Sequence, residues 1–268
     1  MNPRLAAPGF SPAANHPSLR VMRPALRLIA TGVSTALLLA ACNPMRVERP
    51  APARYPAAPS RTEAPLVGAL IDLPLGGDTR TAVLRESADL QQCMAQLTAA
   101  RVTFRPVPDR TNSATCGLTA SGVLGADMGT VARMAPGDVE MTCRTALALS
   151  IWRRQSLEPA AREILGSDVV QIDHMGAYAC RAVNNGAGST RVSAHSRAEA
   201  LDFAGVRLRD GRRIAVTDGW SGDEAEARFL RRIRDDACRI FGTVLSPDYN
   251  AVHRDHLHLE ATDTRFCR

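Results

Sequence analysis

The sequence predicts an α+β domain, with N-terminal helices packed on a small, mainly antiparallel sheet that carries a metal site. Three observations lead there. Segments of helical periodicity come first, strand-like runs bounded by turn residues follow, and a single further helical segment interrupts the strands. Residues 87–101 predict a helix because Leu90, Cys93, Met94 and Leu97 share one face. Residues 138–152 predict a stronger one, buried through Cys143, Ala146, Leu147 and Ile151, and residues 157–165 a third after Ser156. The inserted helix, 223–241, carries Phe229, Ile233, Cys238 and Ile240 or Phe241 inward. Strands are expected at 168–173, 176–181, 200–208, 213–217 and 255–260, with Arg209-Asp210-Gly211 as a turn between two of them.

The chain has 268 residues, 45% of them hydrophobic, which excludes a wholly disordered chain and a multi-span membrane protein. Its formal charge of +6 is concentrated at the start, where residues 1–41 hold Arg4, Arg20, Arg23 and Arg27 and no acid. The remainder is close to charge balance, so no nucleic-acid partner is expected. Every basic residue is Arg. From Met22, the better start, Arg23 and Arg27 precede an apolar run, Leu28 to Leu39, too short to span a bilayer and suited to a signal peptide. The run ends in Leu39-Ala40-Ala41-Cys42, which resembles the lipobox of bacterial lipoproteins. That resemblance implies that Cys42 is lipidated and becomes the mature N-terminus, anchoring the protein to a membrane without spanning it. Residues 1–42 are then an address and 43–65 a Pro/Ala-rich spacer, leaving 66–268 as the globular domain. Asn43 lacks the aspartate that marks inner-membrane retention, so the expected location is the periplasmic face of the cell envelope, at the outer rather than the inner membrane.

Without Cys42, six cysteines remain: Cys93, Cys116, Cys143, Cys180, Cys238 and Cys267. An even number behind an export signal, with no CxxC pair, predicts three disulfides. Nearest-neighbour pairing is the expectation: Cys93–Cys116, Cys143–Cys180 and Cys238–Cys267.

The histidines carry the chemistry. The segment Ser193-Ala194-His195-Ser196-Arg197-Ala198-Glu199-Ala200-Leu201-Asp202 sets an imidazole and a carboxylate seven positions apart. In His253-Arg254-Asp255-His256-Leu257-His258-Leu259-Glu260, a strand of period two puts His256, His258 and Glu260 on one face. Two imidazoles and a carboxylate are the donors of a catalytic Zn2+, which takes three protein ligands and keeps one position open. No serine has a nucleophile-elbow setting. Asn184-Asn185-Gly186 reads as a loop near the site, and His253 as a surface residue.

The pair SxHxx(G/A)xAxD and HxH is similar to that of the zinc peptidases grouped around lysostaphin, the D-Ala-D-Ala carboxypeptidases and the penicillin-insensitive murein endopeptidase. More closely, residues from about Cys93 to Cys267 resemble the bacterial extensin-like C-terminal domain family. The residues that carry this are Cys116-Gly117, the Cys143 helix with Trp152, Gly176 to Arg181, Ser193 to Asp202, Cys238 to Phe241, and Leu245 to Asn250 through His253–His258. The resemblance implies a zinc held by His195, Asp202 and His258, with His256 assisting the water or the oxyanion. Carboxypeptidase relatives place a glutamate where Asp255 stands, which leaves the general base between His256 and Asp255. Strand alternation turns Asp255 away and favours His256. Arg181 resembles an arginine that holds a substrate carbonyl or carboxylate. Ala198 stands where the family has glycine. The implied activity is hydrolysis of peptidoglycan peptides by a lipid-anchored monomer; the alternative is a metal-binding or peptidoglycan-binding module without turnover.

Overall fold

The computed structural model describes residues 69–183, 190–222 and 224–268. The leader with Cys42, the 43–65 spacer and the Asn184-Asn185-Gly186 loop lie outside the described residues. Helices and antiparallel or mixed sheets alternate, so the fold class is α+β, but the order differs from helices first and strands later. Two short helices, α1 (Thr79–Glu86) and α2 (Leu90–Ala99), lead into six strands before the central helix. Asp89 caps α2 by accepting the Gln92 N–H at 2.8 Å, and Cys93 and Leu97 are buried as the pattern required.

The central helix is shorter at its start than expected and longer at its end. Residues Val139–Thr142 form strand β6, with Val139 and Met141 buried in alternation. Helix α3 begins only at Cys143, where the Thr142 hydroxyl accepts the Thr145 N–H at 3.1 Å. Four residues of alternating burial fit either period, which is why the segment reads as helix. After Trp152 the helix does not stop. It continues through π turns at Arg153–Leu157 and Ala161–Leu165 on either side of a short α segment, α4 (Glu158–Ala160). Pro159 inside that stretch has no N–H to donate. Gly166, at φ 69°, ends the run in the left-handed conformation that glycine adopts freely.

Strands β1 (Val102–Pro106), β4 (Ser121–Asp127) and β6 form one three-stranded antiparallel sheet. The second sheet positions the site. It has seven strands in the order β12-β10-β11-β8-β7-β5, with β9 also paired to β8. Here β5 is Arg133–Ala135, β7 Val169–His174, β8 Ala200–Leu208, β9 Arg213–Ala215, β10 Thr243–Leu245, β11 Leu257–Glu260 and β12 Phe266–Cys267. The β5–β7 and β10–β12 pairs are parallel and the rest antiparallel. The strand expected at 176–181 is absent, because past Gly176, whose carbonyl accepts the Asp202 N–H of β8, its backbone bonds to the turn around His195. Beside β8, strand β11 pairs with Ala200–Phe203 and β9 with Gly205–Arg207. A Cβ at Gly205 would stand 2.3 Å from the Ile214 carbonyl oxygen, so only glycine lets β9 approach.

Helices cover the sheet's apolar face. Trp152 packs edge-on against Phe203 with ring centroids 5.1 Å apart, and its indole N–H donates to the Ile233 carbonyl at 2.8 Å. Helix α6 (Glu224–Ala237) buries Phe229, Leu230 and Ile233, and the chain beyond it buries both Ile240 and Phe241. All six cysteines among the described residues are paired: Cys93–Cys143, Cys116–Cys180 and Cys238–Cys267. Three bridges match the expectation, but nearest-neighbour pairing holds only for the last. The first joins α2 to α3, which pack together, and the second joins the β3 segment (Gly117–Leu118) to the loop before Arg181. Among the described residues, no helix is long and apolar enough to cross a membrane.

Candidate metal centre

Strand register brings the candidate ligands together. In the β8–β11 ladder, Asp202 lies directly opposite His258, so both side chains leave the same face of the sheet. Their neighbours Leu201, Phe203, Leu257 and Leu259 point the other way and are fully buried in the core. The third group arrives from a 3-10 turn, Ala194–Arg197, just upstream of β8. The Ser193 hydroxyl caps that turn by accepting the His195 N–H at 3.3 Å, and Ala198 closes it at φ 55°. A left-handed alanine costs roughly 1–2 kcal/mol, the physical reason glycine suits this position.

The three donor atoms form a tight triangle. His195 Nε2 lies 3.0 Å from Asp202 Oδ1, His258 Nδ1 lies 2.7 Å from the same oxygen, and the two ring nitrogens are 3.1 Å apart. All three residues are buried. The opposite ring edges are committed: His195 Nδ1–H donates to the Ala177 carbonyl at 2.9 Å, and His258 Nε2–H to Glu260 Oε1 at 2.9 Å. Each partner sets its imidazole so that the remaining nitrogen faces Asp202. Burial opposes charge on His258, yet its hydrogen bonds with Asp202 and Glu260 outweigh that and push its pKa up to about 9. Burial likewise opposes the Asp202 and Glu260 carboxylates. Hydrogen bonds with His195 and His258 for Asp202, and with His258 for Glu260, nonetheless hold both below the ordinary range.

Around the triangle stand the other residues singled out from sequence. His256 Nε2 is 3.6 Å from Asp202 Oδ1, while its Nδ1–H donates to Asp255 Oδ1 at 2.9 Å. Asp255 therefore faces His256 and is not turned away. Strand β11 starts only at Leu257, so period-two alternation does not reach back to residues 255–256. The hydrogen bond to His256 holds the Asp255 carboxyl below its usual range. Arg181 Nη2 lies 3.8 Å from Asp202 Oδ2. The Ser196 hydroxyl fixes that stretch by accepting the Arg181 N–H at 3.1 Å and donating to the Arg181 carbonyl at 2.8 Å.

From residue 91 to residue 268 the chain matches the family model described as extensin-like protein C-terminus. The chain belongs to the extensin-like C-terminus family. No curated protein and no solved structure matches it.

Two histidines of this extensin-like domain differ from their sequence reading or lacked one. His253 is buried, not at the surface. Its Nδ1–H donates to Asn250 Oδ1 at 2.7 Å, and its ring centroid lies 5.1 Å from that of His256 and 5.9 Å from that of His258. Burial and the neighbouring His256 and His258 pull its pKa down to about 4, so it stays neutral. His174 had no visible partner. It is a satisfied core residue, donating from Nε2 to the Pro136 carbonyl and accepting the Gly176 N–H at Nδ1. Glu260 lay on the expected face of β11, but its role as partner of His258 depends on the fold. The Ala177 carbonyl had no sequence signal at all.

The donor set fits a small divalent cation. Tetrahedral zinc with bonds of 2.0–2.1 Å spaces its ligand atoms about 3.3 Å apart, close to the edges of this triangle. Two nitrogens and one carboxylate oxygen suit a borderline-soft ion, and carboxylate and carbonyl partners on the far ring edges are the usual second layer of such sites. Beside it, Ala177 also lines a cleft of about 340 Å³ with Pro136, Val139, Glu140, His174 and Tyr178.

Proposed function

We propose that this domain is a zinc-dependent peptidase that hydrolyses peptide bonds of peptidoglycan, held at the periplasmic face of the envelope by a lipid on Cys42. The observation that carries the reading is the convergence of His195 Nε2, Asp202 Oδ1 and His258 Nδ1, with His256 and Arg181 beside them. The spacing of these ligands resembles that of the lysostaphin, carboxypeptidase and murein-endopeptidase group, which supports this reading. His195, Asp202 and His258 would hold the ion, which would supply a Lewis acid for a water and for the scissile carbonyl.

The chain's own groups do the rest. His256, kept as the Nδ1–H form by Asp255, offers Nε2 to take a proton and return it to the leaving amine. Asp255 acts through His256 as a positioning residue. Arg181 offsets negative charge that develops on the carbonyl oxygen. The signal sequence and Leu39-Ala40-Ala41-Cys42 support the location, and a cell-wall peptide is the matching substrate there.

The test is metal analysis of the exported protein, followed by product analysis on purified peptidoglycan. His256→Ala should retain zinc and lose hydrolysis. Zinc binding without any cleaved product in the unaltered protein would replace this reading with a metal-dependent wall-binding module.

A further inference from the structure

A second cavity, of about 190 Å³, has a polar lining that the metal centre does not use. Thr111, Ser113, Thr115, Thr119 and Thr142 line it, the Thr142 hydroxyl already bonded to Thr145, and Arg197 and Glu199 contribute charge. None of His195, Asp202 and His258 lines it. Cys116, bridged to Cys180, forms part of the wall, and the Ser113 hydroxyl accepts the N–H groups of Thr115 and Cys116, so the adjoining loop is internally braced.

Glu199 and Arg197 are the informative pair. The Glu199 side chain is half-buried, and its backbone is fully used, donating to the Ala194 carbonyl and accepting from Ala261 N–H. Its carboxylate, however, accepts no hydrogen bond and makes no ion pair among the described residues. Burial pushes its pKa upward, against the pull of Arg197 and Arg144. The Arg197 guanidinium is exposed and likewise has no carboxylate within ion-pair distance among the described residues. Arg110, the other cation of the cavity, is already committed to Glu140 through two hydrogen bonds. One carboxylate and one guanidinium thus border a small hydroxyl-lined space without neutralising each other. Leaving the half-buried Glu199 carboxylate unpaired is unfavourable, and a ligand ammonium relieves it, while the solvated Arg197 guanidinium stands free to receive an anion at the rim.

We propose that this cavity binds the zwitterionic head of an α-amino acid, its ammonium on Glu199 and its carboxylate on Arg197, with the threonine and serine hydroxyls around it. The polar lining disfavours an apolar ligand, and the volume admits a head group with a short side chain. The same head group occurs in a free amino acid and at the end of a diamino-acid side chain within a peptide.

The experiment is calorimetric titration of the full-length protein with alanine, with EDTA present so that no metal competes for the ligand. N-acetylalanine, which lacks the ammonium, and alaninamide, which lacks the carboxylate, should each bind about tenfold more weakly or not at all. Glu199→Gln should weaken alanine and abolish the discrimination against N-acetylalanine. Arg197→Gln, a surface change that leaves the fold alone, should abolish the discrimination against alaninamide. Tighter binding of an end-blocked peptide with a zwitterionic side chain identifies the peptide source, and tighter binding of alanine the free one. The proposal is overturned if alanine gives no saturable heat, if all three ligands bind alike, or if the folded Arg197→Gln protein keeps the full preference for alanine over alaninamide.

Discussion

Asp127 and Asp202 are both buried aspartates beside basic groups, yet their surroundings differ in kind. Asp127 closes on cations of the chain. Arg154 grips its Oδ1, the Gly129 N–H donates to the same oxygen at 2.9 Å, and Arg153 Nη1 approaches Oδ2 at 3.9 Å. Around it, Arg154 also donates to the Ala100 carbonyl and pairs with Asp72, and Arg153 donates to the Ala132 carbonyl. Burial, helped by the like charge of Arg154, pulls the Arg153 pKa down, and burial, helped by Asp127, pushes that of Glu158 up, so the network is held against desolvation. Asp202 instead meets two imidazole nitrogens whose far edges are already bonded, and its nearest guanidinium stands 3.8 Å from the other oxygen. A structural ion-pair network brings its own positive charge. At Asp202 the charge between the donors is a proton or a cation that the chain does not supply.

The largest expected effect sharpens the first side of this contrast. Asp127→Ala leaves the buried Arg153 guanidinium without its nearest carboxylate and Arg154 with only Asp72, and should cost about 3–5 kcal/mol in urea unfolding, with zinc affinity unchanged in the folded fraction. A loss under about 1 kcal/mol would mean that backbone carbonyls suffice for Arg153 and Arg154.

On the second side, zinc at a thousandfold excess over its Kd should stabilise the protein by about 4 kcal/mol, and His258→Ala should remove that gain. The proton makes the same point through pH. The folded pKa of His258, about 9, lies above its unfolded value of 6.5. In the zinc-free protein its contribution is therefore full below pH 6.5 and is lost as pH rises through 9. Zinc displaces this proton, so binding at pH 7 should release about one proton per ion, measured by calorimetry in buffers of different ionisation enthalpy. Release of none would show that His258 is already neutral.

A smaller effect comes from the carboxylate behind the ligand. Glu260→Gln should weaken zinc binding about 10- to 100-fold while the domain stays folded, because the His258 ring loses its charged acceptor. Unchanged affinity would place the orienting force in the β8–β11 ladder. Smallest is Ala198→Gly. It relieves roughly 1–2 kcal/mol of left-handed backbone strain but loses a buried methyl and adds freedom to the unfolded chain, so unfolding should shift by no more than about 1 kcal/mol.

The site was more legible than the scaffold. His195, Asp202 and His258 carry their chemistry in residue type, and the period of β11 places His258 and Glu260 together without any tertiary knowledge. Helix α6 and strand β8 were legible because their buried residues repeat over several turns or rungs. The first sheet was not. Strand β4 carries Gly122 and Gly125, which weaken its pattern, and in β6 the alternation of Val139 and Met141 runs straight into the helix that Thr142 caps. Pairing of the first four half-cystines depends on α2 meeting α3, a contact no local pattern encodes. His253 was misread because its burial comes from neighbours brought in by the fold, and the orientation of Asp255 because β11 begins one residue after His256.

The first two disulfides overlap along the chain, each bridge enclosing one half-cystine of the other. A polypeptide made from its N-terminus presents Cys93 and Cys116 before Cys143 exists, so the earliest bond within reach is a wrong one. Correct pairing must either wait until α2 and α3 have docked or pass through thiol–disulfide exchange that dissolves the premature bond. Yield of this protein in a foreign host should therefore depend on isomerase capacity more than on oxidant, since speed of oxidation favours the pair that meets first.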